Sequence, residues 1–283
     1  MDVRSRCHLD VGVGDGLASR AAIPHWWSAM TRTDFRLVNS RTEYRVITAD
    51  PAWRCKDQCP GNGRGASKHY KTMTTEEICG LAHHATFKVG GVVPVELHMS
   101  QRRCRIARDA VLFLWRLSAM QRDALEVARS WGFVDKSEIV WVKYRPCVRC
   151  RGTGREQRPR FDGNSLKWVS RAADPCGFCE GTGCGTPWFG MGHYTRGAHE
   201  TCLIATLGKL SAHRKAKNIR STLHAPVPWN WTKNRPIHSA KPERFYTEVV
   251  QKMFDGPYLE LFGRARRPGW TVLGNQVGKR RTA

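Results

Sequence analysis

Four consecutive residues, Asp50-Pro51-Ala52-Trp53, place an acid, a proline and a large aromatic directly after an apolar run. The Asp50 carboxylate and the Pro51 backbone carbonyl can each accept a hydrogen bond from an amino group. Trp53 offers a flat face on which a planar ring can stack. These groups could therefore hold an aromatic ring that carries an amino substituent. An Asp-Pro turn after a strand is also common without any such role, so the tetrapeptide alone leaves both interpretations open.

Two CxxC pairs form the second group of side chains that could do chemistry. They are Cys147 with Cys150 and Cys176 with Cys179. Each pair continues as xGxG, and these glycines leave backbone amides free to donate to the sulfurs. Two such turns can surround one ion with four thiolates, so we expect a structural Zn²⁺ site with no open position for catalysis. Unrelated thiols or a redox pair are the alternatives.

Composition favours an intracellular protein with a polyanionic partner. Lysine and arginine number 47 against 24 acids in 283 residues, giving a formal charge of +23. A surplus of this size is typical of nucleic-acid binding. No stretch resembles a signal peptide or a membrane span, which predicts a cytoplasmic location without a membrane partner. In such a compartment cysteines favour metal sites or free thiols, and we interpret Cys55 and Cys59 as free thiols.

Alternating strands and helices should position these groups. The predicted strands are 44–49, 110–115, 139–143, 201–206, 258–262 and 270–273, and the predicted helices are 75–83, 119–130 and 242–253. Capping-box spacing supports the first two helix starts, at Thr74/Glu77 and Ser118/Gln121. Short apolar strands separated by helices predict an α/β fold, with a mostly parallel sheet and helices on both faces.

The pattern also predicts how the chain is divided. Residues 1–30 lack clear periodicity and are predicted to be an N-terminal extension, in part disordered. Residues 31–143 and 199–283 should form one domain, and 144–198 a small inserted zinc-binding module. Residues 86–108 also resemble extra material in a loop.

Several fragments, taken in order, resemble one family: the adenine amino-methyltransferases related to the catalytic subunit of the mRNA adenosine methyltransferase, with phage and bacterial DNA enzymes among its members. The resemblance covers about 34–277 except for the two insertions. The matching stretches are 50–53, 68–74, 112–115, 131–133, 141–143, 199–200, 238–243, 260–264, 269–270 and 274–276.

The resemblance implies a Rossmann-like sheet that binds S-adenosylmethionine and methylates an adenine amino group. Asp50 and Pro51 would hold that amino group, and Trp53 would pack against the base. The residues that match cofactor-binding positions are Asp34, Asp50, Lys241, Arg264, Asn275 and Gln276. Lys68 and Tyr70 fall in the matched substrate loop. The target base must be flipped or unpaired to be reached.

One departure from the family bears on activity: Ala52 stands where relatives usually have a second proline. Alanine relaxes the turn but keeps the acid, the carbonyl and the aromatic. We therefore expect an active adenine methyltransferase, of phage or bacterial context, that acts on DNA more readily than on RNA. A catalytically silent nucleic-acid-binding relative, an RNA adenosine methyltransferase and a cytosine amino-methyltransferase are the alternatives.

The inserted module carries its own basic charge. Its arginines are Arg145, Arg149, Arg151, Arg155, Arg158 and Arg160. In the family this loop borders the substrate opening, so the module is expected to contact a phosphate backbone or read sequence context. The alternative is a stabilising element for a long loop.

Overall fold

The structure is a computed structural model, and it describes residues 42–54, 71–84, 95–99, 102–161, 163, 166–190, 194–274 and 277. The predicted extension over 1–30 lies outside these residues. The strands are β1 (Glu43–Ala49), β2 (Ala82–His84), β3 (Val95–Met99), β4 (Arg102–Arg116), β5 (Val134–Pro146), β6 (Arg155–Phe161), β7 (Leu166–Pro175), β8 (Cys184–Pro187), β9 (His199–Leu207), β10 (Thr222–Pro226), β11 (Trp229–Asn230), β12 (Arg235–Pro236), β13 (Tyr258–Leu261) and β14 (Trp270–Leu273).

The main sheet has the order β10-β5-β9-β4-β1-β13-β14, with β2, β3 and β8 attached at its side. The predicted α/β sheet is confirmed, but as a mixed sheet. β4, β1, β13 and β14 run parallel to one another, while β9 is antiparallel to both β4 and β5. Parallel neighbours need a crossover connection, which is usually a helix. The described part of the connection between β5 and β9 contains strands and turns but no helix, in agreement with their antiparallel pairing.

Side chains alternate between the two faces of the sheet and form two cores. Along β4, Leu112 and Leu114 enter one buried cluster, while Phe113 and Trp115 enter the other. The period of two residues along a strand causes this division. Helices α1 (Thr75–Cys79) and α2 (Gln121–Ser130) cover the first face. A π-helix (Phe245–Val250) and the short α3 (Gln251–Met253) cover the second. The prediction of helices on both faces is thus confirmed.

The helix ends show one correct and one wrong capping prediction. Thr74 and Glu77 form the expected reciprocal capping box at α1. Ser118 begins a separate 3₁₀ turn, Ser118–Met120, and α2 has no side-chain cap. The predicted Ser118 box is wrong because this extra turn moves the helix start to Gln121.

The segments predicted as insertions also contain ordered strands. β3 and the first half of β4 lie within 86–108, so part of that stretch extends the sheet. In the cysteine-rich segment, β6 and β7 form a hairpin, and β8 pairs with β5. No helix in the described part of the chain is long and apolar enough to cross a bilayer.

Candidate active site and cysteine cluster

The strand directions explain why charged residues from distant positions meet at one edge of the sheet. The parallel strands β1 and β4 end there at Ala49 and Arg116, and the antiparallel β9 begins there at His199. β5 passes the same edge, with Trp141 opposite Glu200. Asp50, Glu200 and Lys143 therefore come together although they are far apart in sequence. Such a carboxyl edge is where ligands bind in open α/β sheets.

The turn after β1 is held by backbone hydrogen bonds. The Trp53 amide donates to the Pro51 carbonyl at 2.9 Å. The Met73 amide donates to Ala52 at 2.7 Å, and the Arg54 amide to Met73 at 2.8 Å. Ala52 thus takes part through its carbonyl, which proline would also supply. The second lone pair of the Pro51 carbonyl is available to a further donor.

Trp53 lies in the core beneath this turn. The residue is only 5% exposed, and its Nε1 donates to the Trp115 carbonyl at 2.9 Å. This bond ties the turn after β1 to the end of β4. In this structure Trp53 therefore anchors the turn, and its predicted contact with a base stays a prediction.

Asp50 makes a two-point ion pair with Lys241. The Lys241 ammonium lies 2.8 Å from both carboxylate oxygens of Asp50, and its side chain is 7% exposed. It also lies 5.2 Å from the centroid of the Trp115 ring. Lys241 lies in the segment between β12 and the π-helix. Its ion pair with Asp50 therefore fastens that segment to the end of β1.

The ion pair continues into a second acid and a second lysine. Lys241 Nζ lies 3.2 Å from Glu200 Oε2, and Lys143 Nζ lies 2.6 Å from Glu200 Oε1. Burial alone would raise the pKa of Glu200, but Lys241 and Lys143 lower it to about 2. Burial likewise opposes the charge of Lys241, yet Asp50 and Glu200 raise its pKa above the ordinary value. Glu200 and Lys241 are consequently held in their charged forms.

A third acid, Glu260 on β13, lies at the same edge. Its Oε1 accepts a hydrogen bond from the Tyr246 hydroxyl at 2.8 Å, and its Oε2 lies 3.5 Å from Arg267 Nε. Oε2 is buried and makes no hydrogen bond within the described residues. Burial raises the pKa of Glu260, although Arg267 and Tyr246 partly oppose the rise.

An open cavity of about 430 Å³ lies at this edge of the sheet. Asp50, Lys241, Glu260 and the predicted cofactor residue Arg264 line it. The Arg264 guanidinium also donates to the His238 carbonyl at 2.5 Å. The cavity therefore combines acids that can accept from hydroxyl or amino groups with cations that can pair with a carboxylate.

The sequence pattern did not identify Glu200, Lys143 or Glu260 as site residues. All three lie within stretches that match the family, namely 141–143, 199–200 and 260–264. An acid inside the apolar strand β13 is the signal that could have identified Glu260, because buried acids are rare without a partner. The predicted residues Asp34, Lys68, Tyr70, Asn275 and Gln276, and also Cys55 and Cys59, lie outside the described residues.

The four cysteines of the CxxC pairs do converge. The sulfurs of Cys147, Cys150, Cys176 and Cys179 lie within 4.8 Å of one another, and all four residues are buried. The Cys150 and Cys179 sulfurs are 3.7 Å apart, close to the roughly 3.8 Å edge of a tetrahedron with Zn–S bonds of about 2.3 Å. The arrangement therefore fits a four-coordinate metal ion.

The glycines after each pair have the predicted role. The Gly154 amide donates to the Cys150 sulfur, and the Gly183 amide to the Cys179 sulfur, both at 3.3 Å. Both glycines have φ of +73°, and a Cβ on Gly154 would lie 2.2 Å from the Gly181 carbonyl oxygen. Only glycine fits this contact, where one cysteine turn packs on the other.

The cysteine cluster is also bonded to the sheet. The Arg244 guanidinium donates to the Thr182 carbonyl at 3.1 Å and to the His224 carbonyl of β10 at 3.0 Å, and it pairs with Glu248. The second cysteine turn is therefore fastened to the π-helix and to β10.

The mixed α/β sheet, with the acid and lysine at its carboxyl edge, is consistent with a Rossmann-like methyltransferase fold. Residues 180–276 match the sequence profile of the MT-A70 family. Two relatives extend the similarity to most of the chain.

One relative is the N(6)-adenosine-methyltransferase MT-A70-like protein of Drosophila melanogaster, which is 23% identical over 83% of this chain and 27% of that protein. The other is the type II methyltransferase M.MunI of Mycoplasma sp, 24% identical over 84% of this chain and 79% of that protein. The chain thus spans about a quarter of the length of the first and most of the second.

Proposed function

We propose that this protein methylates the exocyclic amino group of adenine in nucleic acid, with S-adenosylmethionine as the methyl donor and DNA as the favoured polymer. The observation that carries the proposal is the Asp50 carboxylate at the end of β1, fixed at 2.8 Å by Lys241 and lining an open cavity. An adenine amino group needs an acceptor at such a position, and Asp50 with the adjacent Pro51 carbonyl offers two.

The role of Asp50 is to orient. Both of its oxygens accept from Lys241, but each keeps a lone pair for a donor in the cavity. Because its partner Lys241 is itself held by Glu200, the carboxylate cannot turn freely in response to substrate. Preorganised acceptors of this kind lower the cost of aligning the reacting nitrogen.

The cavity residues fit the cofactor's functional groups. S-adenosylmethionine, when bound, supplies the methyl group from a sulfonium centre. Glu260 could accept from ribose hydroxyls, since its Oε2 makes no hydrogen bond within the described residues. Lys241 and Arg264 are the cations in the cavity that could pair with the cofactor's carboxylate. The predicted contacts of Asp34, Asn275 and Gln276 remain part of this proposal.

The four-cysteine cluster is proposed to bind one structural Zn²⁺. Four buried sulfurs with amide donors from Gly154 and Gly183 match the donor set of such sites. With four thiolate ligands the ion would have no open position, so its role is to hold the module's fold.

DNA is favoured for two reasons. The chain resembles single-chain phage and bacterial members of the family, and the alignment with M.MunI covers 79% of that protein. The charge of +23 suits either polymer and does not discriminate between them.

Transfer of labelled methyl from S-adenosylmethionine to duplex DNA, single-stranded DNA and RNA tests the proposal. Label should appear on adenine, and Asp50→Ala should abolish it while the exposed control Asp135→Ala keeps it. Nucleoside analysis separates an adenine product from a methylated cytosine. A folded protein that binds nucleic acid but labels no polymer would instead support the catalytically silent relative that Ala52 suggests.

A further inference from the structure

Five side chains form a continuous series of cation–aromatic and aromatic contacts beside the cysteine cluster. The series is Arg145, Trp188, Trp229, Trp231 and Arg151, and we name it the arginine–tryptophan ladder. The guanidinium of Arg145 lies 4.9 Å from the Trp188 ring, and that of Arg151 lies 5.7 Å from the Trp231 ring. Ring centroids are 5.9 Å apart between Trp188 and Trp229, and 6.3 Å between Trp229 and Trp231.

The ladder connects the cysteine module to the candidate active site. Arg151 follows Cys150 directly, and its φ of +53° belongs to the tight turn around the sulfurs. Arg151, Trp229 and Trp231 line the same cavity as Asp50 and Lys241. Trp188 and Arg145 continue the series away from the cavity residues. A ligand that leaves the cavity along this side would meet aromatic faces and guanidinium groups.

The exposure of the ladder fits a binding surface better than a core contact. Trp231 is 36% exposed, and Arg145 and Arg151 are both exposed. Trp229 and Trp188 are half-buried against the second core, which would hold their rings rigid. Because these rings are already held in place next to the exposed Trp231, little conformational entropy would be lost when a ligand binds.

We propose that the arginine–tryptophan ladder binds an unpaired polynucleotide strand next to the target base. A base stacks on Trp231, and Arg151 and Arg145 pair with phosphates of the same strand. This proposal rests on the proposed function, because the strand bound by the ladder is the one that carries the base to be methylated. Tryptophan faces combined with positive charge are the usual recognition surface for single strands, because every base has a face to stack.

The charges support a polynucleotide as the ligand. Both ends of the ladder are cationic, and the whole chain carries +23. Among the other arginines of the module, Arg149 is bonded to Glu156 at 3.0 Å and is partly neutralised. The ladder arginines lie over aromatic rings, a position from which a guanidinium can still donate to phosphate.

Equilibrium binding of a fluorescein-labelled unpaired oligonucleotide and its duplex form, measured without cofactor, tests the ladder. Trp231→Ala should weaken binding of the unpaired strand at least about fivefold, since one stacked base is worth that much or more. Trp231→Phe should restore most of the affinity because it keeps a ring. Arg151→Gln should weaken binding and reduce the slope of log affinity against log salt by about 1.

The control variant is Arg129→Gln, an exposed arginine of α2 outside the ladder, which should leave affinity nearly unchanged. Thermal unfolding of each variant shows whether it folds. If Trp231→Ala does not fold, the Arg151→Gln result decides. Unchanged affinity in folded ladder variants, equal losses for duplex and unpaired strand, or no binding by the wild type would each overturn the proposal.

These outcomes are separable from those of methyl transfer. Weakened binding in the ladder variants, from a wild type that transfers no methyl group, would support the ladder and contradict the proposed function. Methyl transfer by the wild type, with unchanged binding in Trp231→Ala and Arg151→Gln, would contradict the ladder alone.

Discussion

The Lys241 ammonium lies 2.8 Å from both carboxylate oxygens of Asp50 and 3.2 Å from Glu200 Oε2, so one buried cation separates two acids. Without it the two carboxylates would share a poorly solvated region and repel each other. Lys241 therefore stabilises the fold and also fixes the proposed orientation of Asp50. It links the sheet edge to the segment before the π-helix.

Replacing Lys241 with methionine should destabilise the protein and abolish most methyl transfer. Breaking a buried ion pair by removing one partner costs about 3–5 kcal/mol in the free energy of unfolding, because the remaining charges lose their counterion. The matched control is Lys215→Met, which breaks the exposed pair with Asp255 at 2.7 Å and should destabilise the protein far less, because an exposed ion pair contributes little to stability. Chemical denaturation measures the free energy of unfolding of both variants. Similar losses of stability in the two would contradict the structural role of Lys241.

The acid stability of the protein should depend on Glu200. Its pKa of about 2 lies below the ordinary value of about 4.3, so its stabilising contribution is complete above the ordinary pKa and is lost as the pH falls towards 2. The shift corresponds to roughly 3 kcal/mol. Glu200→Gln should therefore unfold more easily at pH 7 and show a flatter decline in stability between about pH 4 and pH 2.

A suitable comparison for Glu200 is Glu138→Gln, since the Glu138 side chain pairs with Arg116 at 3.1 Å but is itself half exposed. That variant should lower the free energy of unfolding at pH 7 less than Glu200→Gln does, because an exposed pair contributes little to stability. If Glu200→Gln unfolds no more easily than Glu138→Gln and keeps the wild-type decline in stability between about pH 4 and pH 2, then Lys143 and Lys241 do not stabilise the ionised form of Glu200.

Much of this site was predictable because local patterns carry it. The apolar run before Asp50 is a buried strand, and the duplicated CxxCxGxG motif contains both the sulfurs and the glycines that donate to them. Each of these features lies within a few residues along the chain, where spacing alone decides geometry.

Contacts between distant strands were not predictable in the same way. Glu200 meets Lys143 because β9 runs antiparallel to β5, and nothing in either segment alone specifies that pairing. Trp53 is a second example. The sequence places it directly after the turn, and tertiary packing buries its ring and lets its Nε1 donate to the Trp115 carbonyl. Burial depends on which strand lies alongside, and a single sequence does not state that.

Replacing Glu260 with glutamine should stabilise the protein while weakening cofactor binding. Burial raises the pKa of this carboxyl, so its ionised form costs stability as the pH rises above the ordinary value. Glutamine keeps an oxygen for the Tyr246 hydroxyl but has no charge to desolvate. At pH 7 the free energy of unfolding should rise slightly, by less than about 2 kcal/mol, and it should fall less between pH 4 and pH 7.

Calorimetry with S-adenosylmethionine should show affinity at least tenfold lower for Glu260→Gln, since a carboxylate accepts more strongly from hydroxyls than an amide does. Glu243→Gln is the control, because Glu243 pairs with the same Arg267 but is largely exposed. Weaker binding in the control alone would assign the cofactor contact to Arg267 instead.

Metal removal should disorder the cysteine module and leave the sheet folded. Elemental analysis of the purified protein is expected to give one Zn²⁺ per chain. After chelation, the amides of Gly154 and Gly183 should exchange at least about tenfold faster, because the thiolates that accept from them lose their fixed positions. Cys150→Ser should behave like the chelated protein. Cys184→Ser should keep the metal, since Cys184 lies outside the four-sulfur cluster. Equal metal loss in both serine variants would assign the ion to a different ligand set, with Cys184 among its members.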